Sequence, residues 1–362
     1  MRTNLAFLLR HPFRCDERRA RHNRAPLQPS AIARIQCHVF VAATVDTSRC
    51  GRECVHDDQP DRLSALSFAL SSGCNERHHA ALGQLGRRRA RQRAHLGCFA
   101  DTDKIHAINH IGKHFRVRGP LNMSRTPQGR PVYVQAGSSD EGRAFAARFA
   151  EAIFTAHQTL ASAQEFYADI KRQARAFDRS PDQIKILPGI SPFIASTQIE
   201  ADRLQDEFNE LIQPEYSLTQ LRQMIISTFP GLTSMAPFPR HLIDSEGARG
   251  VASRFKLVIG IVDREKPTIR QLVQRLAGAR GHWVIAGPPE KIADNMQTWF
   301  ENCAADGFNV MPPWLPGFAE QVVPILRKRG LFRHDYTGTT LRDHYGLSRP
   351  ASIFSNAIQA IA

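Results

Sequence analysis

Pro131-Val-Tyr-Val-Gln-Ala-Gly-Ser-Ser-Asp-Glu-Gly-Arg143 reads as a short strand that turns directly into a helix. Val132 and Val134 are β-branched and alternate with Tyr133 and Gln135, which suits a half-buried strand of about six residues from Pro131 to Ala136. Gly137 frees the backbone to turn. Ser138 and Glu141 form an S-x-x-E capping box, so Ser138 is expected to cap the following helix. The first amides of a helix have no partner inside it, so a strand that delivers them beside two hydroxyls makes an anion site. An ordinary βα turn with a good cap carries the same residues, because S-x-x-E is common.

The flanking sequence adds specificity. Asp103-Lys-Ile-His-Ala-Ile-Asn-His-Ile-Gly-Lys-His-Phe-Arg-Val-Arg-Gly-Pro-Leu-Asn122 leads into Thr126-Pro-Gln-Gly-Arg130 and the strand. Then follow Ala152-Ile-Phe-Thr-Ala156, Ile186-Leu-Pro-Gly-Ile-Ser-Pro192, Ala279-Arg-Gly-His282, Ala286-Gly-Pro-Pro-Glu290, Asp306-Gly-Phe-Asn-Val-Met-Pro-Pro313 and Arg329-Gly-Leu-Phe332. This ordered set resembles the nitrilotriacetate and dibenzothiophene-sulfone monooxygenase branch of the bacterial-luciferase-like family, over roughly residues 101 to 351.

The resemblance implies an α/β fold, the (β/α)8 TIM barrel, with its site at the C-terminal ends of the strands, where the βα loops converge. It implies a flavin-dependent monooxygenase that uses reduced FMN and O2 to oxidise a small organic substrate, with cleavage of a C–N or C–S bond. The flavin is supplied by a separate NAD(P)H:flavin oxidoreductase. In such enzymes the cofactor carries the hard chemistry, and the protein holds it and excludes water. Gly137, Ser138 and Ser139 are the cofactor contacts that transfer, as donors to the FMN phosphate. The family's other flavin contacts come from strands one to four, and none has a counterpart in residues 1–98. The chain is therefore expected to be either a flavin monooxygenase whose activity that loss puts in question or, in a different class, a non-catalytic remnant or an Arg-rich nucleic-acid-binding protein. The resemblance also implies a cytoplasmic location and allows a homodimer.

Charge and cysteine divide the 362 residues in two. Residues 1–98 hold 17 Arg, no Lys and 8 acidic residues, a net +9, and six of the seven Cys. Residues 99–362 hold 31 basic and 26 acidic residues, a net +5, with Cys303 alone. No apolar run in the first part approaches the roughly 18 residues of a membrane span. Met1 to Arg10 is too short, and lacks a small-residue cleavage site, for a secretory signal. Cys50-x3-Cys54-x-His56 has no second pair at matched spacing, which argues against structural zinc. Arg87-Arg-Arg-Ala-Arg-Gln-Arg93 could neutralise nucleic-acid phosphates, but no aromatics for base stacking flank it. Arg without Lys, scattered Cys and no sustained period describe a segment not selected to fold. It reads as translation of a GC-rich gene in another frame, or as a disordered leader.

From residue 99 the chain alternates strand and helix, as parallel βα units do. Strands are expected at Pro131–Ala136, Ala152–Ala156, Ile184–Ile194 and Gly307–Met311, with His114–Arg118 a short hairpin strand and Trp283–Ala286 merely extended. Helices are expected over Asp140–Ala150 and from Thr159, with Leu160, Phe166, Ile170, Ala174 and Phe177 inward. Others run from Thr197, with Ala201, Leu204, Phe208 and Leu211 inward, and over Ile269–Ala277, Pro288–Ala304 and Ala319–Arg329. Residues 214–268, rich in Pro and Gly, read as an insertion of the kind that forms lids. Residues 352–362 read as a tail. Four strands make half a barrel, with open edges that favour aggregation. His157, Ser191 and Met311 fall near the strands' C-terminal ends.

Overall fold

The computed structural model of the chain describes residues 5–8, 105, 107–111, 116–119, 126–212, 218–219, 221, 237–239, 252–279 and 281–351. They fall into two units, one formed by residues 5–8, 134–147 and 152–335, the other by the described residues between 105 and 133 with 148–151 and 336–351. The segment 1–98, apart from 5–8, and the tail 352–362 lie outside the described residues, as do Cys50, Cys54, His56 and Arg87–Arg93.

The first unit is a six-stranded sheet covered by helices. Five strands are parallel: β4 (Val134–Gln135), β5 (Ala152–Thr155), β6 (Lys185–Ile194), β7 (Trp283–Gly287) and β8 (Gly307–Val310). β1 (Leu5–Leu8) pairs antiparallel with β8. The α/β class and the TIM-barrel type of architecture thus hold, but Trp283–Gly287 is a full strand rather than an extended connection, which raises the parallel units from four to five. Its five residues are all apolar or Gly, so no alternation marked it; its ladder to Ile190–Ile194 makes it a strand.

β6 is the hub of the sheet. Lys185–Pro188 pair with β5, Ile190–Ile194 pair with β7, and Gly189 and Ile190 pair with β8. The change of partner falls at Pro188-Gly189. A Cβ on Gly189 would lie 2.4 Å from His282 Nδ1 and 2.8 Å from the Met311 methyl, so only glycine lets those side chains reach the strand.

Helix α1 (Asp140–Phe149) follows β4, and α2 (Leu160–Ala176) follows β5, capped by Thr159, whose hydroxyl accepts from Ser162 N–H. Phe166, Ile170 and Ala174 of α2 are buried as expected, but Phe177 is 41% exposed, because the helix ends at Ala176 and Phe177 is its C-cap. α3 (Gln198–Glu210) is capped by Thr197 and packs through Ala201 on Phe193 and Ala286. Leu211 lies beyond its last turn and is 78% exposed, which removes it from the expected core. Within the insertion, α4 (Ala252–Glu265) packs Val258, Ile261 and Val262 against Ile269, Leu272 and Val273 of α5 (Ile269–Ala279). The described part of 214–268 thus includes a helix packed on α5.

The main core lies between β6, β7, β8 and helix α6 (Pro289–Glu301), which presents Ile292, Met296, Trp299 and Phe300. Trp299 stacks on Trp283 at 4.3 Å between ring centroids. Each fully buried large side chain here contributes on the order of 2 kcal/mol. The final helical segment is not one continuous α-helix. Leu315–Gly317 leads into a π-helical stretch, Phe318–Val322, and then α7 (Val323–Lys328), with Pro324 in its first turn. Pro cannot donate to the helical ladder, which accounts for the local change of register. Gly330 ends it in the left-handed region at φ 70°.

In the second unit, β2 (His110–Ile111) and β3 (Arg116–Val117) form a small antiparallel hairpin, in line with the expected strand near Arg116. The Glu151 carboxylate accepts from Arg342 Nη1 at 2.7 Å and Nη2 at 2.9 Å, from Arg130 Nη1 at 3.0 Å and from the Tyr133 amide at 3.1 Å. Burial pushes this carboxyl up, but the hydrogen bonds and charges of Arg342 and Arg130 hold it below its usual range. Arg342 sits on α8 (Leu341–His344), which opens with a Thr340/Asp343 capping box.

Candidate functional site

The C-terminal ends of β4 and β5 bring the expected turn together with side chains that are remote in sequence. α1 begins at Asp140, so its N-cap is Ser139: the Ser139 hydroxyl accepts from the Gly142 amide at 3.1 Å. The expectation that Ser138 caps the helix is corrected. Its hydroxyl lies 3.2 Å from Thr155 Oγ1 on β5 instead. One residue separates the two readings, and both serines satisfy a polar position before the helix; only the strand's end point decides between them. The Gly137 amide donates to Gln135 Oε1 at 3.0 Å. Among the hydrogen bonds of the described residues, the amides of Ser138, Ser139, Asp140 and Glu141 engage no acceptor, as expected of a free helix N-terminus.

The hydroxyl contact continues inward. Thr155, 3% exposed, lies 3.0 Å from His157 Nε2 through its Oγ1. The His157 ring packs on Phe166 at 4.9 Å. Burial, then the charges of Arg143 and His282, push the His157 imidazole down from 6.5 to about 4, so it is neutral at pH 7. Arg143 donates through Nε to the Ser138 carbonyl at 3.1 Å and through Nη1 to Asp169 at 3.1 Å, which fixes the back of the turn to α2. Asp169 also pairs with Arg172 and accepts from Gln173.

His282, the residue before β7, stacks on Phe154 of β5 at 4.7 Å with the rings 13° from parallel. Ser191 donates to the Met311 carbonyl at 3.0 Å, so these two expected top-face residues meet each other. Gln158 donates to the Gly281 carbonyl at 3.4 Å and accepts from Arg264 of α4 at 3.1 Å. A cavity of about 300 Å3 opens elsewhere, between α3 and α5, with Ser191, Phe193, Gln205 and Gln274 in its wall. The turn is not part of it.

Thr155, Arg143, Phe154 and His282 were not expected as site residues. Thr155 and His282 stand within the motifs quoted above, but their meeting depends on strand register, which no single motif carries. Among the described residues, no cluster of three or more His, Cys, Asp or Glu side chains is placed to hold a metal ion, and no helix is long and apolar enough to cross a membrane.

The sequence model of the luciferase-like monooxygenases matches residues 87–307. The chain belongs to this luciferase-like monooxygenase family. The match begins inside the Arg-rich segment, earlier than the residue 101 expected from motifs, and includes the run Arg87–Arg93. This luciferase-like chain is 49% identical over 267 residues to N-acetyl-S-(2-succino)cysteine monooxygenase of Bacillus subtilis, an alignment covering 72% of this chain and 59% of that protein. It is 45% identical over 259 residues to nitrilotriacetate monooxygenase component A of Aminobacter aminovorans, covering 70% and 56% respectively. It thus spans little more than half the length of these curated relatives. Among solved structures, a riboflavin lyase with modified FMN and riboflavin superposes with a TM-score of 0.65 at 28% identity, over 78% of this chain and 62% of that one.

Proposed function

We propose that this chain carries the phosphate-binding part of a flavin-dependent monooxygenase that takes reduced FMN from a separate NAD(P)H:flavin oxidoreductase and uses O2 to oxidise a small organic substrate. The observation that carries the reading is the turn Gly137–Ser139, with its row of unengaged amides at the head of a ten-residue helix. Those donors suit a dianionic phosphate, because they desolvate at no internal cost and sit at the positive end of the helix dipole. Asp140 and Glu141 on the first turn oppose an anion, and the Arg143 guanidinium behind Ser138 offsets them. The residues present therefore fit a phosphate group. The riboflavin lyase with modified FMN supports a flavin, and a relative named as a component A supports a partner protein.

Bound there, the flavin would supply the oxygen-activating chemistry. The chain's own part is to hold the phosphate on the amides of Ser138, Ser139, Asp140 and Glu141. Phe154 and His282 set a stacked pair of flat rings beside the C-terminal end of β5. The reading implies C–N or C–S bond cleavage, a cytoplasmic enzyme and assembly as a homodimer.

FMN titrated into the full chain, followed by quenching of flavin fluorescence, tests this. Saturable binding that is competed by inorganic phosphate, and that is lost when Ser138 and Ser139 are both changed to proline, is the expected result. Pro removes two of the amide donors. Binding indifferent to that change would place the flavin elsewhere.

A further inference from the structure

We propose that His157 is a positioning residue for the phosphate turn: it donates through Nε2–H to Thr155, so that Thr155 donates to Ser138 and the Ser138 hydroxyl proton is left to point at a bound phosphate. This rests on the reading of Gly137–Ser139 as a phosphate turn. The three groups form one line, with Ser138 Oγ 3.2 Å from Thr155 Oγ1 and Thr155 Oγ1 3.0 Å from His157 Nε2.

Each hydroxyl has one proton to give and two lone pairs, so with the Thr155 proton given within the line there are two polarities. If Thr155 donates to His157, its oxygen must accept from Ser138, and Ser138 then shows only lone pairs to an anion. That arrangement repels a phosphate oxygen. In the opposite polarity every donor in the line points toward the turn, and Ser138 adds a charge-assisted hydrogen bond to those of the amides. An anion on the turn therefore selects the imidazole tautomer with hydrogen on Nε2 and a bare Nδ1.

The surroundings keep this a choice of tautomer rather than of charge. Thr155 is 3% exposed, so water does not compete for its single proton. Phe166 of α2 packs on one side of the half-buried imidazole, and the ionisable groups acting on it are Arg143 of α1 and His282 before β7. Asp169 of α2 partly neutralises Arg143. These neighbours disfavour a second proton on His157, consistent with a neutral ring down to about pH 4.

The test combines 15N spectra of the histidine rings in the full chain, with and without FMN, and FMN affinities of five proteins. The expected outcome is Nε2–H His157 in the FMN complex. Thr155→Val, nearly isosteric, and His157→Phe, which keeps the packing on Phe166, should each weaken FMN roughly tenfold, the loss of one charge-assisted hydrogen bond. Thr155→Ser and His157→Gln, which retain a donor at each place, should bind within about threefold of the parent by the same reckoning. Parent-like FMN affinity in Thr155→Val and His157→Phe, or an Nδ1–H ring in the complex, would overturn the relay while leaving the turn in place. Absence of saturable binding by the parent protein would instead remove the phosphate reading, and the relay with it.

Discussion

His157 shows how burial turns a common residue into one that reports on folding. In the unfolded chain its imidazole takes up a proton near 6.5, and in the folded chain only near 4. Between those values the unfolded state holds more protons, so folding stability is fully present above 6.5 and is lost as the pH falls toward about 4. From pH 7.5 to pH 5 the loss due to this one group is on the order of 2 kcal/mol. Urea midpoints of the parent and of His157→Gln at the two pH values check it: the parent should lose more stability on acidification than the variant by that amount. Equal losses would mean that the ring is open to water in the folded protein. The sequence offered His157 only as a residue at a strand's end. Its burial, and its line to Ser138, come from Phe166 and Thr155, which reach it through the packing of α2 and the register of β5.

At the scale of elements, α2 is held to the sheet at its far end by a buried ion pair. Lys171 Nζ contacts Asp306 at 3.0 Å and donates to the carbonyls of Pro181 at 2.9 Å and Ile184 at 2.6 Å, while Asp306 accepts from the Ile186 amide and the Tyr167 hydroxyl. One carboxylate thus joins α2, the start of β6 and the residue before β8. Every partner is satisfied, so removing one leaves an uncompensated charge. Lys171→Met is expected to destabilise the fold by about 3–5 kcal/mol, and adding Asp306→Asn should recover part of that loss. Denaturant curves of the single and double variants decide it; additive losses would mean that the two side chains act separately. The helices were legible because caps and a 3.6-residue period mark them, as Thr159 and Thr197 do. Phe177 and Leu211 misled because periodicity does not reveal where a helix stops. Lys171 gave no signal, since a lysine on a helix is ordinarily a solvated one.

At the scale of the whole molecule, the described strands do not close a barrel. A (β/α)8 barrel has eight parallel strands, and five are present here among the described residues. The edge of β8 is taken by β1 running antiparallel, a direction that no barrel strand has. Among the described residues β4 pairs with β5 alone and has just two residues in its ladder. The turn proposed to hold phosphate leaves β4, the strand with the shortest ladder of the sheet among the described residues. On the proposed reading, further strands paired with that edge would supply the remaining flavin contacts. Replacing residues 1–86 with the corresponding segment of the Bacillus subtilis relative should therefore do two things at once. FMN affinity should rise by at least tenfold, about 1.4 kcal/mol, because β4 gains a second neighbour and the turn is held before the ligand arrives. Light scattering during refolding should fall, because the open edge is covered. Fluorescence titration and scattering on the same preparation separate the two effects. If scattering falls while FMN affinity stays unchanged, the added strands complete the sheet without contributing to the site, and the turn must already be ordered in the chain as it stands.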